Sequence, residues 1–159
     1  LGIKINEVLL RHFLFIILEF LQFIPFYLIV IFISGIEITI NTFLFIPGLI
    51  LVMINGYWML FLTTLLCARF RDLGLLLSAV MSTGVLLTPI LWEKTRLGVY
   101  ENYVYLNPFT SMIEAVRDPL IGIAVNPIVY YLLIIYCFIG FSICSLFYKK
   151  KYKVFNFWL

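Results

Sequence analysis

The sequence predicts an all-α fold, a polytopic bundle of transmembrane helices. Of the 159 residues, 64% are hydrophobic and only 12% are charged, whereas soluble domains average about 25% charged residues. The apolar residues form stretches long enough to cross a bilayer, which takes about 20 residues per helix. Lipid tolerates only helices or closed barrels, and the alternation typical of barrel strands is missing. Nucleic-acid binding is not expected, because no basic face accompanies a soluble fold.

Four stretches qualify as membrane spans within a single transmembrane domain, 1–159: residues 13–34, 42–66, 73–92 and 127–148. The first contains two polar residues, Glu19 and Gln22. An intramembrane carboxylate usually faces a cavity or another helix, and near a helix end it can instead reach the water interface. Both interpretations stay open for Glu19.

The distribution of basic residues predicts the orientation. Four spans place both ends of the chain on one side, and 8 of the 11 basic residues lie on that side, including the cluster 149–153. Cytoplasmic loops are enriched in Lys and Arg. We therefore expect both termini in the cytoplasm and the long connection 93–126 on the opposite side.

The loop between the second and third spans is short and charged, with Arg69, Arg71 and Asp72. These charges either set topology or dock a cytoplasmic partner or a phosphate group, since the planar guanidinium binds carboxylate and phosphate in two places. The third span contains Thr88-Pro89, with Gly84 one turn earlier, which predicts a kink or break. A packing kink and a moving gate both fit this pattern.

The connection 93–126 is too apolar for a plain loop. Asn107-Pro108 predicts a helix start, with Asn at the cap and Pro in the first turn, and the helix should end near Leu120. One face is apolar, and the other carries Glu114 and Arg117 as an i,i+3 pair. The sequence predicts a short amphipathic helix at, or dipping into, the outer membrane interface. Its apolar face comprises Phe109, Met112, Ile113, Val116 and Leu120.

No catalytic residue, metal site or cofactor site is predicted. The three cysteines, Cys67, Cys137 and Cys144, are too few and too scattered for a disulfide framework or a zinc site. Neither a nucleophile paired with a base nor a glycine loop that could cradle phosphate is present.

In their order along the chain, several motifs resemble the type 2 ATP-binding-cassette permeases. Within that family the chain is most similar to exporters of O-antigen, capsule and teichoic acid. The motifs are Asn55-Gly56-Tyr57-Trp58, Ala68-Arg69-Phe70-Arg71-Asp72, Leu87-Thr88-Pro89-Ile90-Leu91-Trp92, Leu106-Asn107-Pro108-Phe109 with Glu114 and Arg117, and the tail Phe155-Asn156-Phe157-Trp158-Leu159.

The resemblance implies a function. The chain would be a permease subunit of a bacterial transporter that exports lipid-linked polysaccharide (O-antigen, capsule or teichoic acid) across the cytoplasmic, or inner, membrane. Two permease copies would pair with two separate ATP-binding subunits, which bind and hydrolyse ATP, so this chain would hold no cofactor and catalyse no reaction. The gate would include Pro89, Asn107, Pro108, Glu114 and Arg117, and the loop Arg69, Arg71 and Asp72 would dock the partner subunit.

Family members have six spans and an N-terminal cytoplasmic helix, so the four spans here correspond to the C-terminal part of such a permease. Three alternatives remain: an ATP-binding-cassette permease for a drug or lipid, a membrane-embedded glycan polymerase or transferase, and a small channel or scaffold. The enzyme would need acid-base residues in its long outer loops, and the charges there are few.

Overall fold

The computed structural model describes residues 5–70, 72–90 and 92–158, and the described chain is helical. Its five α-helices, in chain order, are α1 (Ile5–Ser34), α2 (Phe45–Arg69), α3 (Leu73–Leu87), α4 (Pro108–Leu120) and α5 (Pro127–Trp158). Two 3-10 segments, Ile40–Leu44 and Lys94–Leu106, precede α2 and α4.

Three apolar helical stretches are long enough to cross a membrane: Glu7–Ser34, Ile40–Arg69 and Pro127–Phe147. Together with the helical architecture they confirm the predicted fold class. The stretch predicted as a span over 73–92 instead forms α3, which has 15 residues. At 1.5 Å per residue α3 is about 22 Å long, less than the roughly 30 Å thickness of the hydrocarbon core.

Helix α3 ends early because a proline follows it closely. Thr88 has an extended backbone, φ −89° and ψ 138°, since the ring of Pro89 disfavours helical geometry at the preceding residue. The Thr88 amide and hydroxyl both donate to the carbonyl of Gly84, at 3.0 and 2.7 Å. The break predicted at Thr88-Pro89 is therefore present, as the end of the helix rather than a kink within it.

The buried core lies where α2, α4 and α5 meet. Helices α2 and α4 approach closely at Gly48, where a Cβ atom would collide with the backbone oxygen of Ala115. Small residues allow such approaches in membranes, where tight packing replaces the hydrophobic effect between helices. The core cluster consists of Tyr105, Met112, Ala115, Val125, Val129 and Leu133.

A buried asparagine joins α2 to α5. The amide nitrogen of Asn55 donates to its own helix at Leu51 O (2.9 Å) and across to Leu133 O on α5 (3.1 Å). Its Oδ1 accepts from the indole nitrogen of Trp58 at 3.0 Å. Gly140 on α5 lies against that indole, where a Cβ atom would overlap the ring.

Helices α1 and α3 lie at the periphery of the bundle. All residues of α3 are described and none is buried. Among the described side chains of α1, Leu9 alone is buried. Two contacts on α1 define its placement: Phe13 meets Tyr57 edge-to-face with ring centroids 5.3 Å apart, and the Tyr27 hydroxyl donates to Leu120 O at 2.6 Å.

Candidate functional site

The candidate site is built around α4, which begins and ends as the sequence predicts. The Asn107 side chain caps the helix by accepting from the amide of Phe109 at 3.1 Å, and Pro108 occupies the first turn. The helix ends at Leu120, and Gly122 follows with φ +80°, a left-handed conformation that suits glycine.

Helix α4 is packed against the neighbouring helices α2 and α5. Four of its polar residues are buried: Glu114 is 1% exposed, and Thr110, Ser111 and Asp118 are buried with it. The Arg117 side chain is 39% exposed. The predicted apolar face is only partly covered, since Ile113, Val116 and Leu120 are half-buried. Polar groups gain most by leaving lipid for protein partners, which explains why this face turns inward.

Glu114 pairs with Lys94 rather than with Arg117, so the predicted i,i+3 pair was wrong. The Lys94 ammonium donates to both carboxylate oxygens of Glu114, at 3.1 and 3.3 Å, and to the Tyr105 hydroxyl at 3.0 Å. The Tyr105 hydroxyl in turn donates to Glu114 at 3.2 Å. The three side chains thus form a closed ring of hydrogen bonds between the 3-10 segment and α4.

This ring keeps Lys94 charged. Burial lowers the pKa of Lys94, but its hydrogen bonds to Tyr105 and Glu114 and its attraction to the carboxylate outweigh burial, so the pKa lies above its usual value. Tyr105 is itself held by α5, because its carbonyl accepts from the Tyr136 hydroxyl at 3.0 Å.

Two further contacts fasten the end of α3 to the two ends of α4. The Asn107 amide donates to the Thr88 hydroxyl at 3.0 Å. Arg117 donates to the carbonyl of Pro89 at 3.0 Å and forms an ion pair with Asp118 at 2.9 Å. We call the contacts Thr88–Asn107 and Pro89–Arg117 the α3–α4 latch. It contains three of the five residues predicted for a gate, Pro89, Asn107 and Arg117. Pro108 lies in the first turn of α4 and Glu114 in the adjacent ring.

A polar cleft of about 730 Å³ opens beside these contacts. Both signs of charge line it, with Glu93, Lys94, Arg96, Glu114 and Arg117, together with Pro89, Ile90, Trp92, Thr95, Ile121 and Ile123. Since Lys94 and Arg117 already have carboxylate partners, Arg96 is the lining cation whose side chain makes no hydrogen bond or ion pair within the described residues.

The other predicted residues lie away from α4. Arg69 ends α2, with its guanidinium carbon 5.0 Å from the ring centroid of Phe70, and Asp72 directly precedes α3. Arg69 is about 30 Å along α2 from Gly48, where α4 crosses. Arg71 lies outside the described residues. Glu19 and Gln22 are exposed on α1 and make no side-chain hydrogen bond within the described part of the chain.

With the geometry established, comparison with known families identifies the fold. The sequence profile of the family described as "ABC-2 type transporter" matches residues 6–121, more than half of the chain. The chain belongs to the ABC-2 type transporter family. It is therefore a membrane permease subunit of an ATP-binding-cassette transporter, a transport component that works with an ATP-binding subunit. No curated protein and no solved structure matches the chain.

The ABC-2 match extends over α4, so the ring and the latch lie within the family domain. Sequence reasoning missed Lys94, Tyr105 and Thr88 as partners of the predicted residues. One signal limited the possible partners of Glu114: a carboxylate on a helix this apolar needs a cation, and residues 93–126 contain only Lys94, Arg96 and Arg117. No signal in the sequence distinguishes among these three.

Proposed function

We propose that this ABC-2 permease exports lipid-linked polysaccharide across the bacterial cytoplasmic membrane, with α4 as part of its outer gate. The position of α4 carries the gate proposal: a short helix packs against two membrane helices, α2 and α5, and is held to the end of α3 by polar contacts. The hydroxyls of Thr110 and Ser111 are buried on α4 without a hydrogen-bond partner within the described residues. Unpaired buried hydroxyls are costly, so they favour a helix that also occupies a second position. The polysaccharide substrate is supported by the motif order around Asn107-Pro108.

Helix α3 links the loop at one end of the bundle to α4 at the other. It begins directly after Asp72 and ends at Thr88, where the α3–α4 latch begins. Because none of its residues is buried, α3 can shift with little loss of packing. A movement of the Arg69–Asp72 loop, imposed by the ATP-binding subunit, would reach α4 through the length of α3.

The orientation follows from the basic residues, with both termini and the Arg69–Asp72 loop in the cytoplasm and the polar cleft outside. ATP binds to the partner subunit, and the glycan passes between two copies of the permease. Single cysteines at Lys151 and at Glu101 are probed with an impermeant thiol reagent: Glu101→Cys should react on intact cells, and Lys151→Cys only after the membrane is permeabilised. Labelling of both residues from outside would contradict this topology.

Deleting the gene and following the cell's glycans tests the substrate. An exporter predicts polymer of normal length that accumulates inside the cell and returns to the surface on complementation. Short or absent polymer would favour a polymerase or transferase. Normal surface glycan together with altered drug sensitivity or lipid distribution would favour a permease for a drug or lipid.

A reversible lock tests the gate. In a background without Cys67, Cys137 and Cys144, the pair Thr88→Cys and Asn107→Cys should form a disulfide across the latch. Oxidation should stop export, and a reductant should restore it, while each single cysteine variant stays insensitive to oxidation. Unchanged export by the fully oxidised pair would reject the movement of α3 against α4.

A further inference from the structure

An apolar slot of about 540 Å³ separates α1 from α2 and α4. It lies between the two contact residues of α1, Phe13 and Tyr27, which are about 21 Å apart along the helix. The slot is therefore longer than the hydrocarbon thickness of one leaflet, which is roughly half of the 30 Å core. The walls are almost entirely hydrocarbon: Phe13, Ile16, Phe20, Tyr27, Leu49, Val52, Met53, Gly56, Met112, Ile113, Val116, Leu120 and Ile121, with Arg117 at one end.

The slot and the polar cleft meet at α4. Two residues, Arg117 and Ile121, line both spaces. The slot therefore has a hydrocarbon interior and one charged end, and beyond that end lies a cleft that contains both cations and carboxylates. The surroundings change along this path from apolar to cationic to mixed polar. The groups of an amphiphile with a phosphate next to its hydrocarbon chain follow the same order.

We propose that the slot and the cleft form a binding site for a membrane glycerophospholipid, with one acyl chain in the slot and its phosphate at Arg117. The size fits, since ligand sites commonly enclose 300–1,000 Å³. Two of its walls, α1 and α2, are helices long enough to cross a membrane, where acyl chains are the surrounding solvent. This assignment does not depend on which substrate the permease transports.

Arg117 is suited to the phosphate although it already has partners. Its Nε and Nη2 face Asp118, and Nη1 donates to Pro89 O. A guanidinium carries five N–H groups, so each Nη atom keeps one N–H for a phosphate oxygen. The side chain of Arg117 is 39% exposed and can reach such a ligand.

The rest of the cleft fits a head group that carries both charges. Arg96 adds a second cation for the phosphate, and Glu93 supplies a carboxylate for an ammonium group. Phosphate contacts by Arg are charge-assisted and strong. Lys94 and Glu114 neutralise each other at the same wall, so the cleft has no large excess of either sign and favours a zwitterionic head group such as phosphatidylethanolamine.

Photo-crosslinking measures occupancy of this site. The full chain is assembled with its ATP-binding subunit in nanodiscs that contain phosphatidylethanolamine with a diazirine in one acyl chain. The peptide over 108–120 should be labelled more strongly than the α1 end around Phe32, which is 90% exposed and lies outside the slot. Ile16→Trp, which fills the slot from α1, should abolish the difference, and Ile24→Trp on the same helix outside the slot should not.

Competition identifies the head group and the source of the lipid. Unlabelled phosphatidylethanolamine should displace the probe, and diacylglycerol, which lacks the phosphate, should do so far less well. Arg117→Gln should weaken displacement by about tenfold, the effect of losing a charge-assisted hydrogen bond. Size-exclusion profiles of all variants check assembly.

Three results would overturn the assignment. Equal labelling of 108–120 and the α1 end, or labelling unaffected by Ile16→Trp, would mean ordinary annular lipid. Equal competition by diacylglycerol would remove the phosphate contact. Displacement by a polyisoprenyl phosphate at much lower concentration than by phosphatidylethanolamine would assign the site to a carrier lipid.

Discussion

Helices α3 and α4 follow one another along the chain, yet the apolar helix is exposed and the charged helix is buried. Helix α3 contains no charged residue and buries none of its side chains. Helix α4 carries Glu114, Arg117 and Asp118 and is packed against two membrane helices. In a soluble protein the apolar helix would occupy the centre and the charged helix the surface.

The difference shows which forces arrange helices in lipid. Lipid chains solvate apolar side chains as well as a protein core does, so α3 loses nothing by facing them. A carboxylate in lipid is costly unless it finds partners. For α4 these partners, Lys94 and Tyr105, lie inside the protein, and they favour the interior position of the helix.

The largest expected effect comes from breaking the ring. Lys94→Met leaves the Glu114 carboxylate buried without its cation, and removing one partner of a buried pair costs about 3–5 kcal/mol. Because the Lys94 side chain is 28% exposed, we expect about 3 kcal/mol. Thermal unfolding in detergent measures this loss of stability. Arg96→Met is the control, because Arg96 is a cation in the same cleft whose side chain has no partner among the described residues.

Neutralising both partners tests the cause. Lys94→Met combined with Glu114→Gln should recover most of the lost stability, since no buried charge remains. A double variant as unstable as Lys94→Met alone would contradict the ion-pair explanation. In the wild type the raised pKa of Lys94 means that this stabilisation is complete at neutral pH and is lost only as pH rises above the usual value, about 10.5.

The second prediction compares how tightly α4 and α3 are packed, by replacing one glycine at each helix with alanine. Gly48→Ala should destabilise the bundle by about 1–3 kcal/mol, because the methyl group overlaps the backbone of Ala115 on α4 and the helices must separate. Gly84→Ala on α3 meets no atom within 4 Å, so it should be neutral or slightly stabilising. Equal losses of thermal stability for both variants would show that α3 is packed as tightly as α4.

A third, smaller effect concerns the latch. Asn107→Ala removes the cap of α4 and the bond to Thr88, and a lost cap alone costs about 1 kcal/mol. Asn126→Ala is a matched control, because Asn126 caps α5 in the same way through the amide of Ile128 at 3.1 Å and is not part of the latch. If the latch matters for gating, Asn107→Ala should reduce export beyond Asn126→Ala at equal membrane abundance.

The smallest effect is expected on the exposed face of α3. Leu75 is 79% exposed, so Leu75→Ala should change the unfolding free energy of the single chain by no more than about 0.5 kcal/mol. Unfolding is measured in detergent micelles in which the chain is monomeric. A loss that appears only in the assembled transporter would indicate that another chain covers this face.

The sequence predicted local features more reliably than distant ones. Asn107-Pro108 specified the start of α4 and Thr88-Pro89 the end of α3, because caps and proline effects depend on adjacent residues. The partner of Glu114 was not predictable in this way, since Lys94 lies 20 positions away across an irregular segment. Helical spacing offered only Arg117, which instead binds its neighbour Asp118 and the carbonyl of Pro89.

Burial was equally difficult to predict for a physical reason. Period-3.6 patterning identifies an inward face when water surrounds the protein. Here the surroundings are as apolar as the core, so an apolar face such as Ile113 and Val116 carries no information about direction. In such surroundings the polar residues carry that information, because they gain most from protein partners.

The contact between Gly140 and Trp58 has a consequence for how this protein can change in evolution. The indole fits only where α5 has no side chain, and its N–H needs the oxygen of Asn55, whose amide in turn binds α5. A larger residue at 140 displaces the ring, and the displaced ring leaves the asparagine without its donor. In related permeases these three positions should therefore be inherited or replaced as a set, and their covariation would report the spacing between α2 and α5.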